Sequence, residues 1–257
     1  MQTRRHFLSS SAALGTITLM PFAAMAEAHS SDTYPTANGD VTVHPISHAS
    51  IVLETPAGTI YVDPVGDAAL YADKPAPDMI LITHEHGDHY NADTLAAIMG
   101  DDTVLITNPA VLEMLPEPIK TKASAIAIGE RTDWQKISVT AIPAYNTTED
   151  RLNFHPQGRD NGYVLSVNGL RIYISGDTEG TSEMRALENI DVAFVCMNLP
   201  FTMDAQAAAE AVSEFAPTYV YPYHYRGRDN GTQDPAEFAE MLKGAIETKY
   251  GNWYEAS

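Results

Sequence analysis

Three imidazoles and two carboxylates crowd into the six residues His84-Glu85-His86-Gly87-Asp88-His89, directly behind Thr83 and the apolar run Met79-Ile80-Leu81-Ile82. A buried strand that delivers so many ligand side chains to one loop points to metal, because imidazole and carboxylate are the donors that suit zinc, iron and manganese. His84 and His86, two apart on an extended loop, can turn both rings toward one ion. Asp88 and His89 then face a second position. Gly87 lets the backbone turn so that the two pairs converge, and Glu85 is expected to point away. The bland alternative is a solvated histidine-rich loop; four ligand-type side chains in this order behind an apolar strand argue against it.

The spacing His-x-His-x-Asp-His resembles the signature of the metallo-β-lactamase superfamily, matched residue for residue by His84, His86, Asp88 and His89. Two more segments extend the resemblance. Tyr173-Ile174-Ser175-Gly176-Asp177 places an acid where an apolar strand runs out, and Tyr221-Pro222-Tyr223-His224 supplies a late histidine. The resemblance covers nearly all of the chain after residue 40 and implies an α/β fold, a four-layer αβ/βα sandwich with the metals at one edge. It implies that His84, His86 and Asp177 serve one ion while Asp88, His89, Asp177 and His224 serve the other. Zinc is the first expectation for both ions, with manganese or iron as alternatives, since such N and O donors select weakly among them.

The commonest family pattern carries a histidine directly after the strand that here reads Ile137 to Pro143, and this chain has Ala144-Tyr145-Asn146 instead. The next histidine is His155, in Phe154-His155-Pro156, beyond a polar loop. It stands either as the missing ligand or as a substrate contact. With the Gly-Asp-Thr segment, these features resemble the branch that includes ascorbate phosphate lactonase. Two cations in such a ligand set acidify a bound water to a pKa of about 7. Asp88 is then expected to bind the second metal and to orient or take the proton, with His155, Tyr145 or Asn146 steadying the developing oxyanion. Asp63, at the end of the strand Thr59 to Val62, is placed to hold the second nitrogen of a ligand imidazole, or else simply starts a turn. His48 is read as near the site or as structural, and His44 as structural. Arg226 and Arg228, just past His224, could meet an anionic substrate group.

The N-terminus bears on compartment. Thr3-Arg4-Arg5-His6-Phe7-Leu8 is a twin-arginine start, followed by an apolar run through Ala26 that is broken by Gly15 and Pro21. That run falls short of the roughly 20 apolar residues of a spanning helix, so residues 1–28 are expected to be a cleaved signal read by the Tat export machinery, leaving no stable membrane span. The remaining 29–257 then form one hydrolase domain in the periplasm or outside the cell. Lys and Arg number 15 against 34 Asp and Glu, a formal net charge of -19, which repels a phosphate backbone and excludes nucleic acid as a partner. The single cysteine, Cys196, lies in the apolar run Val192 to Met197 and is read as a buried small hydrophobe, with a thiol ligand as the alternative.

Beyond the motifs, strands are expected at Val41–Pro45, Ser50–Glu54, Thr59–Val62, Thr103–Thr107, Tyr163–Val167, Leu170–Ser175 and Thr218–Tyr221. Helices are expected at Asp93–Met99, after Pro109, and over the alanine-rich Asp204–Phe215. Asn168-Gly169 reads as a tight hairpin turn. The expected function is metal-assisted hydrolysis of a small lactone, ester or phosphodiester. Non-haem iron redox chemistry, β-lactam hydrolysis and non-catalytic metal binding are the alternatives.

Overall fold

A computed structural model of the chain describes residues 31–254, so the leader expected over 1–28 lies outside the described residues. Strands β1 (Asp32–Thr36), β2 (Gly39–Ser47), β3 (Ser50–Thr55) and β4 (Gly58–Val62) pair antiparallel in succession. Next, β5 (Met79–Leu81), β6 (Val104–Thr107) and β7 (Ala123–Ala125) add in parallel, linked by helices α1 (Ala92–Ile98), α2 (Pro109–Met114) and α3 (Glu117–Lys120). The second half repeats the plan. Strands β8 (Arg131–Trp134), β9 (Ile137–Ala144), β10 (Asp160–Val167) and β11 (Leu170–Ile174) are antiparallel. Parallel strands β12 (Val192–Cys196), β13 (Tyr219–Tyr223) and β14 (Glu247–Thr248) follow, with helices α4 (Ser182–Arg185), α5 (Ala205–Phe215) and α6 (Pro235–Leu242). Each sheet thus has seven strands in chain order from one edge to the other.

The burial of each strand explains the layering. Residues of β3, β5, β10 and β12 are buried along nearly their whole length, as strands covered on both faces must be. One face of each sheet meets the other in a shared core that includes Val43, Leu53, Leu81, Val139, Leu165, Phe194 and Tyr221. The outer face of the first sheet packs against Leu95, Val111 and Ile119 of its helices. That of the second packs against Met184, Val212, Phe215 and Phe238. This is the expected α/β four-layer sandwich. The helices start where side chains cap them: Asn91, Asn108 and Asp204 each accept a backbone N–H three residues on.

Most expected elements stand within two residues of their reading, and Asn168-Gly169 forms the β10–β11 turn with φ of 49° and 97°. The edge strands β1, β7, β8 and β14 went unread because they are short or alternate weakly, and an edge needs little apolar sequence. Tyr219, Tyr221 and Tyr223 face the inter-sheet core, where the Tyr221 hydroxyl donates to Asp32 Oδ2 (2.6 Å) and lies 2.7 Å from that of Tyr34. Cys196 is likewise core, and burial pushes its thiol up to about 12. Among the described residues, no helix is long and apolar enough to cross a membrane.

One glycine fixes the meeting of the two sheets. Gly176 has φ +60°, and a Cβ there would lie 2.9 Å from the Asn161 carbonyl oxygen and 3.1 Å from Thr83 Cβ. The backbone N–H of Asn161 donates to the Thr83 carbonyl (3.1 Å), so the head of β10 is laced to the segment carrying His84 where Gly176 passes. Gly176→Ala is expected to cost about 1–3 kcal/mol, through positive φ and overpacking together. Urea unfolding measures it, and a variant as stable as the parent would contradict this account.

Candidate metal centre

All the loops that carry the expected ligands leave the same end of the two sheets: those after β5, β9, β11 and β13, together with the β2–β3 turn. Three groups form there whose donor atoms lie within 4.8 Å of one another: His84, His86 and His155; His84, His89 and Asp177; and His48, Asp88 and His224. His155 therefore stands beside His84 and His86. Asp177 lies between the rings, its oxygens 3.3 Å from His89 Nε2, 3.4 Å from His155 Nε2 and 3.5 Å from His224 Nε2.

What suits these imidazoles to a metal is the atom on their far side. Asp63 is fully buried at the end of β4, where its Oδ1 accepts the Thr83 N–H (2.8 Å) and its Oδ2 accepts Thr83 Oγ1–H (2.6 Å) and His89 Nδ1–H (2.7 Å). Thr83 Oγ1, having donated to Asp63, is left to accept from His84 Nδ1 at 3.0 Å. Asp160 holds His155 Nδ1 at 3.2 Å. The Asn198 amide caps His224 Nδ1 and is itself held by Thr202 Oγ1 at 2.9 Å. Its Nδ2 faces the ring nitrogen, and its Oδ1 accepts from Thr202 Oγ1. Fixing the remote nitrogen in this way sets tautomer and orientation, as supports of metal ligands do.

The near-side atoms converge on one another. His89 Nε2, Asp177 Oδ1 and His224 Nε2 are buried without a hydrogen-bond partner among the described residues, and His84 Nε2 faces His86 Nδ1 at 3.0 Å. Buried polar atoms left this way are costly, so convergent lone pairs of N and O donors fit a cation. Electrostatics divide the rings: burial opposes charge on His89 and His155, but Asp177 and Asp63 raise the first and Asp160 and Asp177 raise the second. Burial, then His89, holds His84 well below the usual imidazole range, and burial, then His155, lowers His86, so both are neutral donors at pH 7. Burial opposes a charge on Asp177, but His224 and His89 outweigh it and keep the carboxylate ionised.

Asp88 is half-exposed at the mouth, 3.3 Å from His224 Nε2 and 3.4 Å from His48 Nε2. The Tyr254 hydroxyl accepts the Arg226 N–H (3.3 Å) and so donates to His48 Nδ1 (2.7 Å), which turns His48 Nε2–H toward Asp88. His48, Asp63 and His224 all adopt positive φ, 51°, 45° and 49°, a concentration of backbone strain at one site. The cavity above the ligands has a volume of about 250 Å³, floored by His86, Asp88, His155, Asp177 and His224 and walled by Phe154, Phe201 and Arg228.

Two expected oxyanion partners are placed elsewhere. The Tyr145 hydroxyl donates to Glu183 Oε2 (3.0 Å), and Asn146 Nδ2 donates to the carbonyls of Arg151 (2.9 Å) and Phe201 (2.7 Å). Their backbone position after β9 is as read, but a strand pattern says nothing about which way a loop side chain turns. Arg226 likewise lies over Tyr254 rather than in the cavity. Glu85 points away as expected, into an ion pair with Arg159 at 2.8 Å, and Arg159 also grips Asp160. Sequence reasoning missed Arg159 and Asp160; an acid five residues after a ligand histidine at the head of a strand was the available signal.

Glu179, two residues beyond Asp177, accepts from Thr147 N, Thr147 Oγ1 and Thr148 N (each 2.8 Å) and pairs with Arg151 (2.9 Å), tying the β9 loop to the ligand segment. Burial opposes its ionisation, but these donors lower its pKa below the usual value. A depressed carboxylate adds stability above its unfolded pKa, and that stability is lost as pH falls through the folded value. Glu179→Gln is therefore expected to be less stable than the parent at pH 7, by roughly 1–3 kcal/mol. The two should converge below about pH 4. Thermal melts across pH read the gap, and a gap independent of pH would contradict the assignment.

Comparison with known proteins agrees with this fold. The Beta-lactamase superfamily domain matches residues 42–224. A UPF0173 metal-dependent hydrolase of Lysinibacillus sphaericus is 33% identical over 174 residues, 66% of this chain and 77% of that one. Among solved structures, a proposed metal-dependent hydrolase from Parabacteroides distasonis is 36% identical, with a TM-score of 0.79 over 87% of this chain and 99% of that one. The diiron β-hydroxylase CmlA of Streptomyces venezuelae shares the fold at 18% identity, with a TM-score of 0.64 over 85% of this chain and 54% of that one. The chain thus belongs to the metallo-β-lactamase superfamily and, within it, to the UPF0173 family of metal-dependent hydrolases.

Proposed function

We propose that this protein holds two metal ions, zinc first, and hydrolyses a small lactone, ester or phosphodiester. The observation that carries the reading is the set of buried, partnerless donor atoms on His89, Asp177 and His224, each imidazole anchored through its far nitrogen. His84, His86 and His155 would hold one ion and Asp88, His89 and His224 the other, with Asp177 shared. Bound there, the pair supplies Lewis acidity to the scissile group and lowers the pKa of a water.

The protein's own groups do the rest. Asp88, oriented by His48 and exposed to the cavity, takes the proton as the water oxygen bonds to the acyl or phosphoryl centre and the bond to the leaving oxygen breaks. Asp88 then returns that proton to the leaving oxygen, so acid and alcohol are the products. Phe154 and Phe201 exclude bulk water from one side. A panel of lactones, aryl esters, phosphodiesters and a β-lactam, assayed with chelated and zinc-restored protein, tests this. Metal-restored turnover of one class is expected, and no turnover of any class would contradict it.

A second reading, iron redox chemistry, draws on the likeness of fold to the diiron CmlA and on donors that also fit iron. Iron in the purified protein with oxygen consumption would favour it. The leader supports export to the periplasm through the twin-arginine route. Replacing Arg4 and Arg5 by Lys is expected to leave the protein in the cytoplasm, and unchanged export would overturn that assignment.

A further inference from the structure

The wall of the cavity is built as carefully as its floor, and by residues that no ligand role absorbs. Phe154 and Phe201 meet edge to face, ring centroids 5.1 Å apart and planes at 78°. Each sits on a backbone carbonyl held by a side chain: Arg159 Nη2 donates to the Phe154 carbonyl (2.8 Å), and Asn146 Nδ2 to that of Phe201 (2.7 Å). Both braces are buried or half-buried, so the rings are fixed rather than draped over the mouth.

Arg228 completes the wall. Its guanidinium lies 4.6 Å above the Phe201 ring, and it is the one Lys or Arg among the described residues that line the cavity. The turn presenting it is anchored at both ends on Leu199: Arg228 N–H donates to the Leu199 carbonyl (3.1 Å), and Leu199 N–H to that of Gly231 (3.0 Å). A Cβ on Gly231 would fall 1.9 Å from the Leu199 oxygen, so the turn closes on Leu199 only with glycine there. Among the described residues no carboxylate pairs with this guanidinium, in a chain where acids outnumber bases 34 to 15. A cation stacked on an aromatic ring keeps its in-plane N–H donors free for a carboxylate or phosphate. The cavity, about 250 Å³, lies below the roughly 300–1,000 Å³ of drug-sized ligand sites.

We propose that Phe154, Phe201 and Arg228 form a specificity jaw that selects a small substrate with a flat or apolar body and one anionic group, carboxylate or phosphate, remote from the scissile bond. The body lies against the two rings, the anion meets the Arg228 fork, and the scissile group is delivered over Asp177. The inference rests on the hydrolytic reading above.

The test uses metal-loaded protein and a matched pair, para-acetoxybenzoate and para-acetoxybenzamide, which differ in charge but hardly in shape. The parent is expected to favour the anionic ester in kcat/KM by about tenfold, the worth of one charge-assisted contact. Arg228→Gln should bring that ratio close to one, and Arg228→Glu should turn the preference toward the para-trimethylammonio ester, a reversal that a merely damaged protein cannot show. A parent without preference, or a preference that survives Arg228→Gln, overturns the jaw. If neither ester is turned over, calorimetric binding of para-hydroxybenzoate against para-hydroxybenzamide still decides. Anion binding weakened about tenfold in Arg228→Gln keeps the jaw while ester hydrolysis fails; equal binding in both proteins overturns it.

Discussion

Asp177→Asn is expected to leave the protein folded, to lower bound metal from two ions to one or none, and to reduce hydrolysis on the order of a thousandfold. The side chain keeps its shape but loses its charge. In the parent, its two oxygens face the Nε2 atoms of His89, His155 and His224 within 3.5 Å, whereas Asp88 reaches only His224 of these three, at 3.3 Å. An amide offers one weak oxygen donor, and its NH2 group points hydrogen at atoms that should carry lone pairs. Metal content and thermal melts on the same preparation separate the effects. A variant with two ions and parental turnover would show that Asp177 is not the shared ligand.

Asp63→Ala is expected to act on folding and metal together. Its carboxylate accepts three hydrogen bonds in a fully buried setting, from Thr83 N, Thr83 Oγ1 and His89 Nδ1. Removing it strands three donors, for a loss of roughly 3–5 kcal/mol. His89 also loses the anchor that fixes its tautomer, and metal affinity should fall about 10–100-fold. Lys243→Ala, which breaks only the exposed i,i+3 pair with Glu240 (3.1 Å), provides the contrast and should stay within about 0.5 kcal/mol. Stability and metal affinity unchanged in Asp63→Ala would reduce that residue to a turn former.

The parts of the centre that sequence made legible are those whose chemistry is local. His84, His86, Asp88 and His89 share one loop and are found by spacing, whereas Asp177 and His224, each at the end of an apolar strand, were picked out by resemblance to the superfamily. Asp63 was readable from its place at the end of a strand. His155 was found but not assigned, because its partners His84 and His86 lie some seventy residues away and only the fold brings them beside it. Tyr145 and Asn146 show the limit: their backbone follows β9 as expected, yet one side chain turns to Glu183 and the other braces Phe201. Arg159, stretched between Glu85 and Asp160, joins two ligand loops through a contact with no sequence period. Of the two late arginines, Arg228 faces the cavity and Arg226 stacks on Tyr254, a distinction set by the turn pinned to Leu199.

The most direct test of the central claim is metal stoichiometry, measured by elemental analysis on protein purified without added metal and again after chelation and zinc titration. Two ions per chain, with hydrolysis that rises only as the second site fills, is the expected result. A chain that saturates with no ion, or that hydrolyses its substrate equally well after complete chelation, would contradict a dinuclear metal hydrolase.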